Sequence, residues 1–241
     1  MKKYQKQSGM TVDAEYGEEQ GNPFFEALPE ILGKEEVMKR LRSQIPYPKD
    51  IQKRSPEERR REVMEISKWF YPMDYMYTIY DMLYRAMSAT YQTKNIVDHI
   101  RQMNDLYMDF RTGREREFQY ATQAYTGAVL GVPGIGKTST VQRCLSLMPQ
   151  VIVHTNYGGK SMYTKQINYL FVECPSDCSV RTLAFNIFSA IDRAIGSDYL
   201  KQATYQRAVA ASATTTKLKI ICMNHHIGLI VIDEIQNAIQ T

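Results

Sequence analysis

The chain has 241 residues, 44% of them hydrophobic and 23% charged. These are the proportions of globular material, enough for one large domain or a small domain with an extension. No apolar run approaches the ~18 residues of a membrane span and no charged-then-apolar leader opens the chain, so the expectation is a cytoplasmic protein with no membrane partner. The net charge of +4 is uneven: residues 1–120 carry 20 basic and 20 acidic residues, and residues 121–241 carry 10 basic and 6 acidic ones. That excess in the second half permits nucleic-acid contact without demanding it.

Residues 1–21 are polar, carry Gly9, Gly17 and Gly21, and read as a mobile tail. Asn22-Pro23 then favours a turn. Phe24, Phe25 and Leu28 follow in a polar neighbourhood, either packing back on the body or forming a hook for a partner. Residues 34–44 suit a short charged helix, and Pro46 and Pro48 mark a linker. Ser55-Pro56-Glu57-Glu58 spells a helix start, with Ser at the cap, Pro at the first turn and Glu three residues after the cap. The mixed charges behind it, Arg59 to Arg61 among Glu57, Glu58, Glu62 and Glu65, suit a solvated face. After Pro72, Met73, Met76, Tyr77, Tyr80, Leu83, Tyr84 and Met87 recur at three- and four-residue steps, a helix face that reads as core. A third helix is expected over 94–109 and a turn over 111–114. Residues 22–120 thus form a hook segment with a helical extension.

The most informative stretch is Gly131, Val132, Pro133, Gly134, Ile135, Gly136, Lys137 and Thr138, which fits G-x-x-x-x-G-K-[ST]. Residues 126–130 are short and apolar and read as a buried strand before it. Residues 139–147, opening on Ser139, read as a helix behind it. Strand, glycine-rich loop and helix make a phosphate-binding loop. Gly134 and Gly136 let successive N–H groups curl inward, and the helix N-terminus adds donors and a positive dipole end. Lys137 suits the β- and γ-phosphates of ATP, and the Thr138 hydroxyl suits Mg²⁺.

Beyond the loop, residues 150–154 read as a strand, 156–160 as a hairpin-like turn and 169–173 as a second strand. Helices are expected over 179–195, ended by Gly196, and over 203–224. Cys144, Cys174, Cys178 and Cys222 are too few for a disulfide framework. Cys174 and Cys178 have the spacing of half a metal site, but no second pair follows and His154 is isolated, so they read as reduced structural thiols. Residues 228–234 hold an apolar run ending in Asp233-Glu234, which suits a central parallel strand buried on both faces. Its acidic end lies where open α/β sheets bind ligands. Asp233 would hold Mg²⁺ through water, and Glu234 would polarise the attacking water. The two motifs together describe a nucleoside triphosphatase, with residues 121–241 as its core.

With these segments the chain resembles the AAA+ ATPases of transposition, specifically the TnsC group; TniB and the phage Mu B protein are more distant comparisons. The resemblance rests on NPFFEAL at 22–28, the loop at 131–138, PQVIVH at 149–154, residues 169–174 with the helix ending at 190–197, and LIVIDEIQ at 229–236. It implies an AAA+ P-loop core, a parallel sheet flanked by helices, behind a helical extension. It also implies a bacterial ATP-dependent regulator that assembles as a ring or filament on double-stranded DNA. Such a regulator connects a target-selection protein to a transposase, and Lys137, Thr138, Asp233 and Glu234 fall on its functional positions. The family's remaining core strands, sensor residue, arginine finger and transposase-contacting region find no counterpart, so the chain is expected to be the N-terminal part of a longer ATPase, weak or inactive alone.

Lys160 and Lys165, on or after the Gly158-Gly159 turn, are expected either to face the DNA backbone or to be solvated loop lysines. Two other functions share the same motifs: a catalytically silent, nucleotide-gated scaffold, and an AAA+ ATPase of another DNA-transaction or signalling system.

Overall fold

The computed structural model describes residues 9–16, 21–44, 49–92, 105, 108–109, 111–112, 125–177, 179–205 and 211–239. The helix expected over 94–109 and the turn over 111–114 lie almost entirely outside them, as does Cys178.

The N-terminal half builds helices from local signals. α1 (Pro23–Glu26) is capped by the Asn22 side chain, which accepts from the Phe25 N–H. α2 (Lys34–Leu41) has Glu35 and Glu36 in its first turn and Lys39 and Arg40 in its last, complementing the helix dipole. α3 (Pro56–Glu65) carries the expected capping box, with the Ser55 and Glu58 side chains each accepting from the other's backbone N–H. α4 (Tyr75–Gln92) buries Met76, Tyr80, Leu83 and Met87 with Tyr77 and Tyr84 partly buried beside them, whereas Met73, expected on the same face, precedes the helix and is exposed.

The second half alternates strands and helices. α5 (Lys137–Leu145) follows the glycine-rich loop. β2 (Val151–Tyr157) and β3 (Lys160–Ile167) form a hairpin closed by Gly158 and Gly159, at φ +56° and +73°, a turn conformation that glycine adopts without strain. β4 (Tyr169–Glu173) leads to α6 (Val180–Ile195), which Ser179 caps and Gly196 ends at φ +72°. α7 (Tyr199–Tyr205) and α8 (Ala211–Asn224) precede β5 (Leu229–Asp233). The helix expected over 203–224 is described in two stretches, 199–205 and 211–224, with residues 206–210 outside the described residues, and it starts earlier, at Tyr199, where Asp192 oxygens accept from the Tyr199 and Leu200 N–H groups.

The tail reading of residues 1–21 fails over its described part. β1 (Thr11–Asp13) pairs in parallel with β2, and Ala14 N–H donates to Val153 O at 2.9 Å. Backbone pairing holds this segment, and a polar side-chain composition does not reveal that. The sheet is also not simply parallel. β1-β2-β3 is mixed, because the β2–β3 hairpin is antiparallel, while β4 and β5 pair in parallel, with Glu173 opposite Asp233. The two parts meet at Ile167, whose N–H donates to His225 O and whose carbonyl accepts from Gly228 N–H.

The segment at 22–28 packs back on the body and is not a free hook. Phe24 is 4% exposed, stacked on His226 with ring centroids 3.8 Å apart and edge-on to His154 at 5.3 Å. Two side-chain amides anchor the same segment: Asn22 Nδ2 donates to Tyr91 O and Gln166 Nε2 to Phe24 O. Burial of an aromatic ring with satisfied flanking backbone outweighs exposure to a partner.

Nor does the helical extension stand apart. One apolar core joins Phe24, Val37, Leu41 and the buried face of α4 to Val141, Cys144, Leu145, Met148 and Tyr169. Across this contact the Cys144 thiol meets Met76 O, and burial pushes that thiol up to about 12, keeping it protonated and inert. The Arg143 guanidinium lies 3.8 Å from the centroid of the Phe70 ring. A second core packs α6 on Val151, Ile167, Leu170 and Val172. The phosphate-loop helix is thus seated on the N-terminal helices, and β4–β5 carries the acidic pair toward it.

Candidate nucleotide-binding site

Residues 131–138 make the tight turn that their glycines predict. Gly134 and Gly136 sit at φ +82° and +89°, the left-handed region that residues with a Cβ avoid. Gly136 is the residue before α5, and its carbonyl accepts from the Thr140 N–H at 2.9 Å, closing the first helical turn. A Cβ on Gly134 would meet nothing within 4 Å, so conformation and not crowding requires glycine there. Val132 and Ile135 are exposed beside it. Lys137 lies along the loop, with Nζ donating to Gly131 O at 2.9 Å and Val132 O at 3.2 Å. Ser139 Oγ donates to Gly136 O at 3.0 Å.

The two motifs converge in space. Thr138 Oγ1 donates to Asp233 Oδ2 at 2.7 Å, and Asp233 Oδ1 accepts from the Glu234 N–H at 3.0 Å. Glu234 has φ +56°, uncommon for a residue with a side chain, and follows directly on the β5 terminus. Its side chain is exposed at the same end of the sheet as the phosphate loop.

Two sequence expectations about the strands around the site do not hold. Residues 126–130 are not a strand: no described strand pairs with them, and Leu130 is 90% exposed. β5 is not buried on both faces. Leu229 and Val231 pack on the core below α4, whereas Ile230 and Ile232 are 37% and 36% exposed. Among the described residues β5 is hydrogen-bonded along one edge only, to β4, and residues 126–130 pair with no strand, although Val129 packs on the core.

Lys160 and Lys165 both lie on β3. Lys160 is exposed at the hairpin end, opposite Tyr157, and Lys165 donates to Ile195 O at 3.0 Å, satisfying the C-terminus of α6. Among the described residues no group of three His, Cys, Asp or Glu side chains is placed to hold a metal, and Cys174 is a buried free thiol.

The donor set fits a magnesium nucleotide. Two hard oxygens, Thr138 Oγ1 and Asp233 Oδ2, sit within hydrogen-bond distance of each other, close enough to serve one hard cation directly or through its waters. The left-handed glycines and the α5 N-terminus offer backbone donors to phosphate, and Lys137 supplies the positive charge. Sequence reasoning missed what holds the acidic end in place. Asn237 N–H donates to Glu234 O at 3.0 Å, Asn237 Nδ2 to Cys174 O at 3.2 Å, and the Gln236 amide to Glu234 Oε2. The only signal was the polar pair following the apolar run.

A phosphate loop at the head of a helix, facing an acidic strand end, defines a P-loop nucleotide-binding protein of α/β class. A family model described as an AAA domain matches residues 120–241, just over half of the chain, and the chain belongs to that family of P-loop ATPases. Comparison with curated proteins gives no match. No described helix is long and apolar enough to cross a membrane.

Proposed function

We propose that the chain is the nucleotide-binding part of an ATP-hydrolysing regulator of DNA transposition, one that assembles as a homo-oligomer on double-stranded DNA and links a target-selection protein to a transposase. The observation that carries the hydrolytic part is the 2.7 Å contact between Thr138 and Asp233, with Glu234 next in the chain. The transposition part rests on the sequence resemblance at 22–28 and 229–236 and on the basic excess of residues 121–241.

The chemistry divides among named groups. Backbone N–H groups of residues 134–138 and the Lys137 ammonium bind and orient the triphosphate. Thr138 and Asp233 would hold Mg²⁺, which screens phosphate charge when bound. Glu234 accepts a proton from water as the water oxygen bonds to the γ-phosphorus. The bond from that phosphorus to the β,γ-bridging oxygen breaks, and ADP leaves with the electron pair. Lys160 at the hairpin end, with Lys165 behind it, contacts the DNA backbone.

Phosphate release by the full-length protein of which this chain is part, wild type and Glu234→Gln, each with and without duplex DNA, tests the reading. Hydrolysis that is lost in Glu234→Gln while ATP binding persists supports it. ATP binding without turnover in either protein favours the nucleotide-gated scaffold, and turnover indifferent to DNA favours an ATPase of another system. Lys160→Ala should lower DNA affinity and flatten its salt dependence; a binding curve unchanged in both respects removes the hairpin from the interface. Lys160 is the cleaner probe, because replacing Lys165 also uncaps α6.

A further inference from the structure

Glu234 stands at the end of β5 in an unusual backbone conformation, and its surroundings explain how that conformation is kept. Its N–H donates to Asp233 Oδ1, its carbonyl accepts from the Asn237 N–H, and the Asn237 side chain ties the same turn to Cys174 O at the end of β4. The Glu234 backbone is therefore locked to both strands of the β4–β5 pair, and the freedom left to the residue is in its side-chain torsions. Those torsions matter, because a general base must lie within hydrogen-bond reach of the water it activates. The carboxylate is exposed, so packing does not fix them. Among the described residues the one side chain that does hold it is Gln236, whose Nε2 donates to Oε2.

We propose that Gln236 is a positioning residue for Glu234. Its amide holds one carboxylate oxygen and leaves the other for the attacking water. An amide suits this task. It donates a charge-assisted bond without bringing a positive charge that would compete for the carboxylate, and its N–H is too weak an acid to give its proton to the base. The spacing follows from the fold: the 3₁₀ turn Ile235–Ile239 begins immediately after Glu234 and turns residue 236 back toward residue 234. The proposal rests on the hydrolytic reading of the site and adds a residue to it.

The test, made in the full-length protein of which this chain is part, compares wild type with Gln236→Ala, Gln236→Asn and Glu234→Gln, and with the Glu234→Gln/Gln236→Ala double variant. With Gln236→Ala, kcat should fall roughly ten- to a hundredfold, the scale of a misplaced catalytic group, while KM for ATP and the thermal midpoint stay unchanged. Gln236→Asn, which keeps the amide on a shorter arm, should recover part of the loss. In the double variant, Gln236→Ala should add nothing to the loss from Glu234→Gln. Unchanged or raised kcat in Gln236→Ala overturns the proposal, and so does a fall in ATP affinity or stability that accounts for the loss of rate.

A second readout needs no hydrolysis. The side-chain amide resonances of Gln236, assigned in the ¹H–¹⁵N spectrum of the wild-type protein, should move in a Glu234→Ala variant. Unmoved resonances overturn the proposal even if the wild type turns over ATP. Moved resonances in a protein that binds ATP without turnover leave the contact standing and refute the hydrolytic reading alone.

Discussion

Thr138 Oγ1 donates to Asp233 Oδ2 at 2.7 Å, a contact between residues 95 positions apart that joins the first turn of α5 to the end of β5. Neither residue reaches the other by local structure. α5 is seated on α4 by Val141, Cys144 and Leu145, and β5 lies under the same helix through Leu229 and Val231, so one core sets both ends of the contact. On the proposed reading, these two hard oxygens, already brought together by the scaffold, would share one Mg²⁺ or its waters once the cation displaces the proton between them.

The contact predicts a cation-specific defect. Thr138→Ala and Asp233→Ala should each weaken MgATP binding by roughly tenfold or more, about 1.4 kcal/mol per factor of ten. Binding of ATP in excess chelator should change much less. Titration of a fluorescent ATP analogue with and without Mg²⁺ measures both; equal losses in the two conditions would show that these oxygens act on the phosphates or the fold instead.

The glycines of the loop make a separate prediction. At φ +89°, Gly136→Ala places a Cβ in the left-handed region and 3.3 Å from Ser139 Oγ. Gly134→Ala has open space around it but the same conformational penalty at φ +82°. Each should cost about 1 kcal/mol or more of strain in the native loop, or let the loop relax to another shape. Because the loop is exposed and can relax, the urea midpoint should fall by no more than that strain, while nucleotide affinity falls further. A large loss of stability with affinity preserved among the folded molecules would contradict this.

Phe24 and Phe25 are neighbours with different fates, and this separates a core residue from a partner hook. Phe24 is 4% exposed between His226 and His154, whereas Phe25 is only partly buried. Phe24→Ala should destabilise the protein by about 3–5 kcal/mol, the range for a buried aromatic, and Phe25→Ala by distinctly less. Chemical denaturation measures both. Equal and small effects would return the segment to the role of an exposed hook.

Much of this was legible before the fold was known, and what was not has identifiable causes. Signals carried by one to four neighbouring residues survived: the Ser55–Glu58 capping box, the Gly158-Gly159 turn and the Ser179 and Gly196 limits of α6. The loop and acidic residues were readable because their chemistry dictates residue type, and the structure brings Thr138, Asp233 and Glu234 together. Structure carried by the backbone was not readable. β1 is held by main-chain pairing under polar side chains, and β3 shows solvent Lys160, Ser161, Tyr163 and Lys165, hiding its buried Gln166 and Ile167. Residues 126–130 and β5 were read as buried because apolar runs usually are. Exposure there depends on which strand lies alongside, and no local pattern encodes that.

Tyr91 and Gly228 form a close-packed joint between α4 and the strand that carries the acidic pair. The Tyr91 hydroxyl donates to His226 O at 2.7 Å and shares a longer contact of 3.1 Å with Ile167 O; burial pushes this phenol far up, so it stays protonated. A Cβ on Gly228 would lie 2.6 Å from that hydroxyl and 2.8 Å from Asn168 O. Tyr91→Phe should cost about 1–3 kcal/mol, because the buried His226 carbonyl loses this donor, while Ile167 O keeps the Gly228 N–H. Gly228→Ala should cost at least as much, since one of the clashing atoms is backbone. If Gly228→Ala matches wild type in urea denaturation, α4 and β5 are not packed as closely as described.

Acid sensitivity follows from His154 and His225, both held below the usual histidine value of 6.5, chiefly by burial. His154 is fixed in one tautomer. Gln166 Nε2 donates to Phe24 O and Asn168 Oδ1, so Gln166 Oε1 must accept from His154 Nε2–H, and Nδ1 then accepts from the Tyr16 hydroxyl at 2.6 Å. Protonation adds a charge in an apolar setting beside Phe24 and sets a second donor against the Tyr16 O–H. At His225, the Lys165 carbonyl bond opposes the shift and the Lys165 charge supports it. In both cases the unfolded chain binds more protons than the native one between the folded value and 6.5, so stability rises with pH across that window. The contribution is fully present above pH 6.5 and is lost as pH falls through the folded values. The carboxylates that Thr182 and Arg40 hold low, Asp177 and Glu36, titrate in a more acidic range. Urea midpoints measured from pH 8 down to 5 should therefore fall below about pH 6.5. Replacing His154 with Gln, an uncharged hydrogen-bonding side chain, should remove part of that slope while lowering the plateau. A slope identical to wild type would place the acid sensitivity elsewhere in the molecule.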